Sequence, residues 1–478
     1  MFGAKGSIGH EVLFMHGMLR AIRLLTVTFS FMFVSLGSPS LLAGIHRAPI
    51  IIPAKKMKDI ADYPVKNYRL YRTDVHGVAS PIPFQIDEVN KIGDYVMPDG
   101  PTPNIKTGDG VFNESDELSF MGDDVGDAVR PKSWPDNKVP ENVYELKLTP
   151  PSGRDPVKDE VREGAVYIAV FNQNPPPISD QKYVVFSLAN GEVVTSRYRY
   201  RFDKKNYLVV NGVDMSPPVK DKASPAPSQV PLIDSSTFYA KADLKYFLTV
   251  QVNHRSVNSK LEAYKAGPIR TIVRVTFFYT FLKLNFEVGM YTEVSFFSNS
   301  VILPAIIYNP LDGIKSLNKG SGFYYGFAMT DSPRKYQFDT NMRPYQELVD
   351  AEANLFSFLK KDVPVEKDYW ASLIGDDRMM YIMLKPSATM LQDRNVPYYF
   401  VSDKSGPELK SRDNNLMKPI LESPVNFGLY FDLTRFREGE HFMSFQLFFE
   451  NKKDYKILDV FRNLDKWRAR LSKVSGTP

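Results

Sequence analysis

Short apolar runs that alternate with polar residues, broken every eight to twelve positions by proline or glycine, set the pattern of this chain. Runs of this kind read as β-strands. In the first half they are expected at Ile82–Ile86, Glu117–Met121, Val143–Leu148, Ala165–Phe171, Tyr183–Leu188, Val193–Phe202 and Tyr207–Val210. A hairpin is expected where Tyr68, Leu70, Tyr71 and Val75 meet the His76-Gly77 turn. The second half is richer still, with GPIRTIVRVTFFYTFLKLNFEVGMYTEVSFF and SVILPAIIY as long antiparallel candidates. In this region Arg270, Ile272 and Arg274 alternate with Ile269, Thr271, Val273 and Val275. Likewise Met290, Thr292, Val294 and Phe296 share one face, and Tyr291, Glu293, Ser295 and Phe297 the other. Two helices are expected. Pro344–Lys361 has proline in its first turn and a leucine stripe, and Lys456–Leu471 places Ile457, Phe461, Leu464 and Leu471 on one face. The last helix is expected to cover a sheet and close its domain.

The pattern implies an all-β protein with an N-terminal β-sandwich over residues 45–214 and a larger antiparallel β-domain over 232–478. Between them, residues 215–231 carry five prolines and read as a linker. Residues 1–44 read as a signal peptide: Arg20 and Arg23 precede an apolar run from Leu24 to Leu36 that is too short to span a membrane. The mature chain is therefore expected to be exported to the periplasm or outer surface of a bacterium, with no transmembrane span. With no cysteine in 478 residues, disulfides, zinc–thiolate sites and thiol nucleophiles are excluded. The net charge of +5 falls by two when Lys5, Arg20, Arg23 and Glu11 of the leader are set aside. A balance that mild argues against nucleic acid.

One stretch runs against that balance. Pro81 to Asp127 holds eleven carboxylates and two lysines, and such a concentration needs a cation, backbone amides or water around it. Asp109, Asn113, Asp116 and Glu117, with Asp87 from the neighbouring strand, could supply the oxygens that calcium takes. The spacing does not match an EF-hand, and capped turns are the alternative. Asp87 and Glu88 are adjacent on a strand and point to opposite faces, so they are not expected to share a catalytic proton. Asp87 is expected to turn inward and accept backbone amides.

The segments PFQIDE (Pro83 to Glu88), GDGVFNESDELSFM and GDDVGD, followed downstream by AGPIRTIVRV and MYTEVSFF, resemble a group of uncharacterised exported bacterial β-proteins. Asn113 and Ser115 stand where Asp and Asn are commoner in that group, a departure that weighs against metal in the loop. The G-P-I-R strand also resembles, more loosely, the galactose-mutarotase-like supersandwich domains. That resemblance implies a supersandwich-like second domain and a carbohydrate role. In a cleft of such a domain, His254, Arg255 and Glu293 would carry proton transfer on a sugar ring, as in a lyase or epimerase-like enzyme. YRYRF (Tyr198 to Phe202) and FYYGF (Phe323 to Phe327) would be aromatic platforms for sugars, or simply core. No nucleophile elbow, P-loop, dinucleotide fingerprint or H-E-x-x-H motif is present. The expectation is thus a binding or envelope-associated protein, with glycan or envelope proteins as partners. A carbohydrate-active enzyme is the alternative.

Overall fold

The computed structural model describes residues 48–135, 138–149, 164–215, 230–245, 248–253, 257–281, 284–309, 312–330, 337–341, 369–375, 378–392, 398–403, 425–450 and 468–474. The protein is almost entirely β, in antiparallel sheets, as the alternation implies. The first strands are β1 (Pro49–Pro53), β2 (Tyr68–Thr73), β3 (Ala79–Pro81), β4 (Phe84–Asp87), β5 (Glu117–Met121), β6 (Asn142–Thr149) and β7 (Gly164–Val170). They are followed by β8 (Val184–Ser187), β9 (Glu192–Thr195), β10 (Tyr198–Asp203), β11 (Asn206–Met215), β12 (Val230–Asp243) and β13 (Thr249–Asn253). Then come β14 (Val257–Ala266), β15 (Thr271–Phe281), β16 (Leu284–Phe296), β17 (Ser300–Asn309), β18 (Gly322–Met329) and β19 (Gln337–Thr340). The remainder are β20 (Tyr369–Ile374), β21 (Met379–Pro386), β22 (Tyr398–Asp403), β23 (Val425–Asp432), β24 (Gly439–Glu450) and β25 (Arg468–Lys473).

Two sandwiches result. In the first, a three-stranded sheet (β1-β5-β4) faces a five-stranded one (β25-β6-β7-β2-β3). Ile50, Ile52, Leu118 and Phe120 from one sheet meet Leu70, Leu146, Val166 and Ile168 from the other in a shared core. The β2–β3 hairpin turns where expected. Asp74 accepts the amides of His76 and Val78, and Gly77 takes a φ of +83°, which favours glycine. In the second sandwich, a nine-stranded sheet (β22-β23-β18-β12-β11-β10-β9-β8, with β13 on β12) faces an eight-stranded one (β14-β15-β16-β17-β24-β21-β20-β19). Tyr200, Phe323 and Phe427 pack there against Val273, Phe296 and Phe445.

Three expectations change. The nine-stranded sheet crosses the boundary placed at residue 214, because β8 to β11 pair onward into β12. Val213 lies opposite Ile233 and Met215 opposite Val230, so residues 216–229 join neighbouring strands of one sheet. The run Val193–Phe202 is two strands, β9 and β10, parted by a turn. The end of the expected helix Lys456–Leu471 is strand β25. Arg468 and Arg470 face out while Ala469 and Leu471 lean on the first core, a period of two that the open edge of β6 selects. The rest of that helix, and all of Pro344–Lys361, lie outside the described residues. No described helix is long and apolar enough to cross a membrane.

Candidate functional site

The acidic stretch packs against β14 and β15. After β4 the chain leaves its sheet and lays Asp99 antiparallel to Tyr264 of β14, with amide–carbonyl bonds of 3.2 and 2.8 Å. Gly100 makes the approach possible: its φ is +109°, and a Cβ there would lie 2.7 Å from the Ala263 Cα.

Arg270, which ends the G-P-I-R segment, is the centre of the contact. It is 2% exposed. Its Nε donates to Asp87 Oδ2 at 2.8 Å and its Nη2 to Glu117 Oε2 at 2.6 Å, so one guanidinium clamps neighbouring strands β4 and β5. The Tyr95 hydroxyl donates to the same Glu117 oxygen at 2.8 Å, and the tyrosine ring lies 5.0 Å from the guanidinium carbon. Lys265 Nζ reaches Asp87 Oδ1 at 2.9 Å, and Gln85 Nε2 donates to that oxygen at 2.7 Å. Gln85 Oε1 in turn accepts the amides of Ile269 and Arg270. Burial alone would raise the Asp87 carboxyl, but Arg270 and Lys265 outweigh it and hold it at about 2. Burial works against the Arg270 charge, and Asp87, Tyr95 and Glu117 together hold its pKa well above the ordinary value.

A second layer follows four residues along, at Arg274. Arg274 Nε donates to Glu293 Oε1 at 3.0 Å across the β15–β16 ladder, where the two residues are directly opposed. Its Nη2 donates to the Tyr95 carbonyl at 3.0 Å and lies 3.9 Å from Asp94. Tyr291, whose ring sits 4.9 Å from the Arg274 guanidinium carbon, donates to Asp94. Burial raises the Glu293 carboxyl to about 7 in spite of Arg274.

In the loop expected to hold calcium, the acidic side chains accept backbone amides. Asp116 is fully buried, and its two oxygens accept the amides of Val89 and Asn113, both at 2.8 Å. Burial, opposed by those amides, lifts its carboxyl to about 6. Asp109 accepts the Val111 amide, Asn113 accepts the Ser115 amide, and Glu88 accepts the Gly110 amide. These are side chains capping turns. Among the described residues, no group of three or more His, Asp or Glu side chains is arranged to hold a metal ion. Asp87 turns inward as expected, but its partners are the side chains of Arg270, Lys265 and Gln85 rather than backbone amides. The structure therefore divides the five expected ligands. Asp87 and Glu117 belong to the Arg270 cluster, and Asp109, Asn113 and Asp116 to the capped turns.

Of the expected catalytic set, Glu293 is joined to Arg274, while His254 and Arg255 lie outside the described residues. The two aromatic platforms belong largely to the core: Tyr198, Tyr200, Phe202, Phe323, Tyr324 and Phe327 are all buried. Sequence reasoning placed Arg270 and Arg274 on one face but assigned them no partner, and it missed Lys265, Gln85 and Tyr95. The available signal was two arginines four residues apart on one face of a β-branched run, in a chain with eleven clustered carboxylates elsewhere.

A space of about 100 Å³ lies on the other face of β15, between the two sheets of the second sandwich. Val273, Val275, Phe296, Phe323 and Phe445 are among its walls, and Tyr200, Ser236, Thr292 and Tyr325 also line it. No charged side chain and no histidine lines it among the described residues.

No family model matches this chain, and no curated protein matches it. Among solved structures it is similar to an alpha-mannosidase from Enterococcus faecalis V583, with a TM-score of 0.39 at 8% identity over 95% of this chain and 48% of that one. It is also similar to a protein in glycosyl hydrolase family 38 from Enterococcus faecalis, with a TM-score of 0.35 at 8% identity over 95% of this chain and 50% of that one. The chain spans about half the length of these solved structures.

Proposed function

We propose that this protein is exported and acts by binding a ligand, with its acidic N-terminal segment serving as an internal brace rather than a reaction centre. One observation carries the reading. The carboxylates of Asp87, Asp116, Glu117 and Glu293 are already engaged by this chain's own donors, whereas no acid, base or cation among the described residues lines the space inside the second sandwich. A general acid or base needs a free face within reach of substrate. A binding site needs apolar walls and a few fixed polar groups. The leader-like run from Leu24 to Leu36 supports export.

The test has two parts. N-terminal sequencing after expression of the full chain is expected to find the leader removed near residue 44, and an intact Met1 would sink export. Organic extraction of the purified protein, read by mass spectrometry, is expected to release a small molecule in near-stoichiometric amount. That molecule should survive incubation with fresh protein, and its conversion would make the protein an enzyme.

Glu293 is the observation on the side of a carbohydrate-active enzyme. A carboxyl raised to about 7 is protonated often enough near neutrality to donate a proton. That reading requires His254 and Glu293 to share a cleft. It predicts turnover on a panel of envelope glycans that Glu293→Gln abolishes.

A further inference from the structure

The two buried arginines of the acidic contact are balanced differently. Around Arg270, the carboxylates of Asp87 and Glu117 meet two cations, Arg270 and Lys265. Around Arg274, the carboxylates of Glu293 and Asp94 meet Arg274. Arg274 and Glu293 belong to the second sandwich, whereas Asp94 belongs to the acidic segment. Tyr291 donates to Asp94, and the Tyr95 carbonyl accepts Arg274 Nη2. No other described cation reaches this layer. On β14, Ala263 lies opposite Arg274, Lys265 is turned to Asp87, and Lys260 pairs with Glu262. On the far side of β16, β17 has no charged residue. The layer thus holds one negative charge too many, and a buried excess charge is relieved by taking up a proton. Burial, offset only in part by Arg274 and reinforced by Asp94, raises Glu293 to about 7.

The acidic segment covers β14, the edge strand of the eight-stranded sheet, whose backbone groups would otherwise be bare there. Its apolar seat is small: Tyr95 and Met97 against Ala263 and Ile272. Its backbone bonds to the strand run between Asp99 and Tyr264 and from the Thr102 amide to the Glu262 carbonyl at 2.8 Å. We infer that Asp94, Glu293 and Arg274 form a proton-operated latch: with one proton on the carboxylate pair the acidic segment stays seated on β14, and loss of that proton makes residues 94–104 open more often and bare the strand edge. Seating buries Glu293 and brings Asp94 to it, so the seated form binds the proton more tightly than the open one. Seating is therefore most favoured below about 4.5 and weakens as pH rises through about 7. The Arg270 layer, with its charges matched, stays closed and confines the opening to the connection between β4 and β5. This inference rests on the brace reading above and fails separately from it: a calcium-dependent melt would remove the brace, whereas pH-independent opening would remove the latch alone.

Amide hydrogen exchange of the full-length protein at pH 6 and pH 8, corrected for the intrinsic pH dependence of exchange, tests the latch. The amides of Asp99, Thr102 and Tyr264 report on the seat, and those of β6 and β7 report on the molecule as a whole. Opening at the three seat amides is expected to rise about tenfold between the two pH values, the yield of one proton released near pH 7, with β6 and β7 unchanged. Glu293→Gln is neutral at both pH values and is expected to abolish the rise. Asp94→Asn keeps an acceptor for Tyr291, removes the second negative charge and is expected to shrink the rise. If Glu293→Gln does not fold, Asp94→Asn decides alone. No rise in the wild type, an undiminished rise in either variant, or an equal rise in β6 and β7 would each overturn the inference.

Discussion

The two faces of β15 are packed by opposite means. One face, with Arg270 just before the strand and Arg274 within it, is covered by the acidic segment and filled with charge; the other, with Val273, Val275 and Phe277, looks onto a space that no charged side chain lines among the described residues. On the charged face the cost of removing ions from water is offset by geometry. Two carboxylates, two cations, a phenol and an amide side chain leave few donors unmatched around Arg270. On the apolar side, among the described residues, the buried hydroxyls of Thr271 and Thr292 have no partner. A charged contact whose groups satisfy one another is built to hold. The apolar interior is held by packing alone and keeps about 100 Å³ of free space.

Breaking the charged face is expected to give the largest effect. Arg270→Ala strands Asp87 and Glu117 in the interior, and chemical denaturation should show a loss of about 3–5 kcal/mol, the usual cost of removing one partner from a buried ion pair. A loss below about 1 kcal/mol would mean that water reaches those carboxylates.

Gly267→Ala probes the same contact from the backbone. A Cβ at Gly267 would lie 1.8 Å from Gln85 Oε1, so the Gln85 side chain must leave the amides of Ile269 and Arg270. About 1–3 kcal/mol should be lost by the same assay, the cost of orphaned buried amides. An unchanged midpoint would show that Gln85 relocates freely.

The pH dependence sharpens the contrast within the charged face. Glu293 is raised from 4.5 to about 7, so the folded state binds more protons than the unfolded state between those values. Stability from this group is fully present below about 4.5 and is lost as pH rises to about 7, with a slope of at most about 1.4 kcal/mol per pH unit. Asp116, raised from 3.8 to about 6, acts in the same sense over its own window. Asp87 runs the other way: lowered from 3.8 to about 2, it stabilises above 3.8 and loses that contribution as pH falls toward 2. Melting followed from pH 4.5 to 7 should therefore fall with pH, and Glu293→Gln should flatten the slope. A slope unchanged in that variant would assign the titration to other groups.

Much of this arrangement was legible in the sequence. The strand pattern placed β5 to β7 to within a residue at each end and β4 to within two, and the His76-Gly77 signal marked the β2–β3 turn. The same alternation put Arg274 and Glu293 each on a charged face of its strand, but their opposition across the β15–β16 ladder is seen only in the structure. Pairings far apart in the chain were not legible, because nothing local encodes them. Arg270 meets Asp87 across 183 residues, and β25 returns from the C-terminal end of the chain to the edge of β6. Proline-rich residues 215–231 looked like a linker by composition, yet the strands on either side are hydrogen-bonded neighbours. The acidic loop was read for its oxygens, whereas its geometry is set by the amides that those oxygens accept.

On the proposed reading, Arg270 and Lys265 supply the positive charge that the carboxylates Asp87 and Glu117 need, and a thermal melt at pH 7 in calcium and in chelator tests that most directly. A ligand that binds only the folded state raises its melting temperature by mass action. The two melts are expected to superimpose. A clear rise in calcium, lost in Asp116→Ala, would contradict the account and make the acidic segment a metal site.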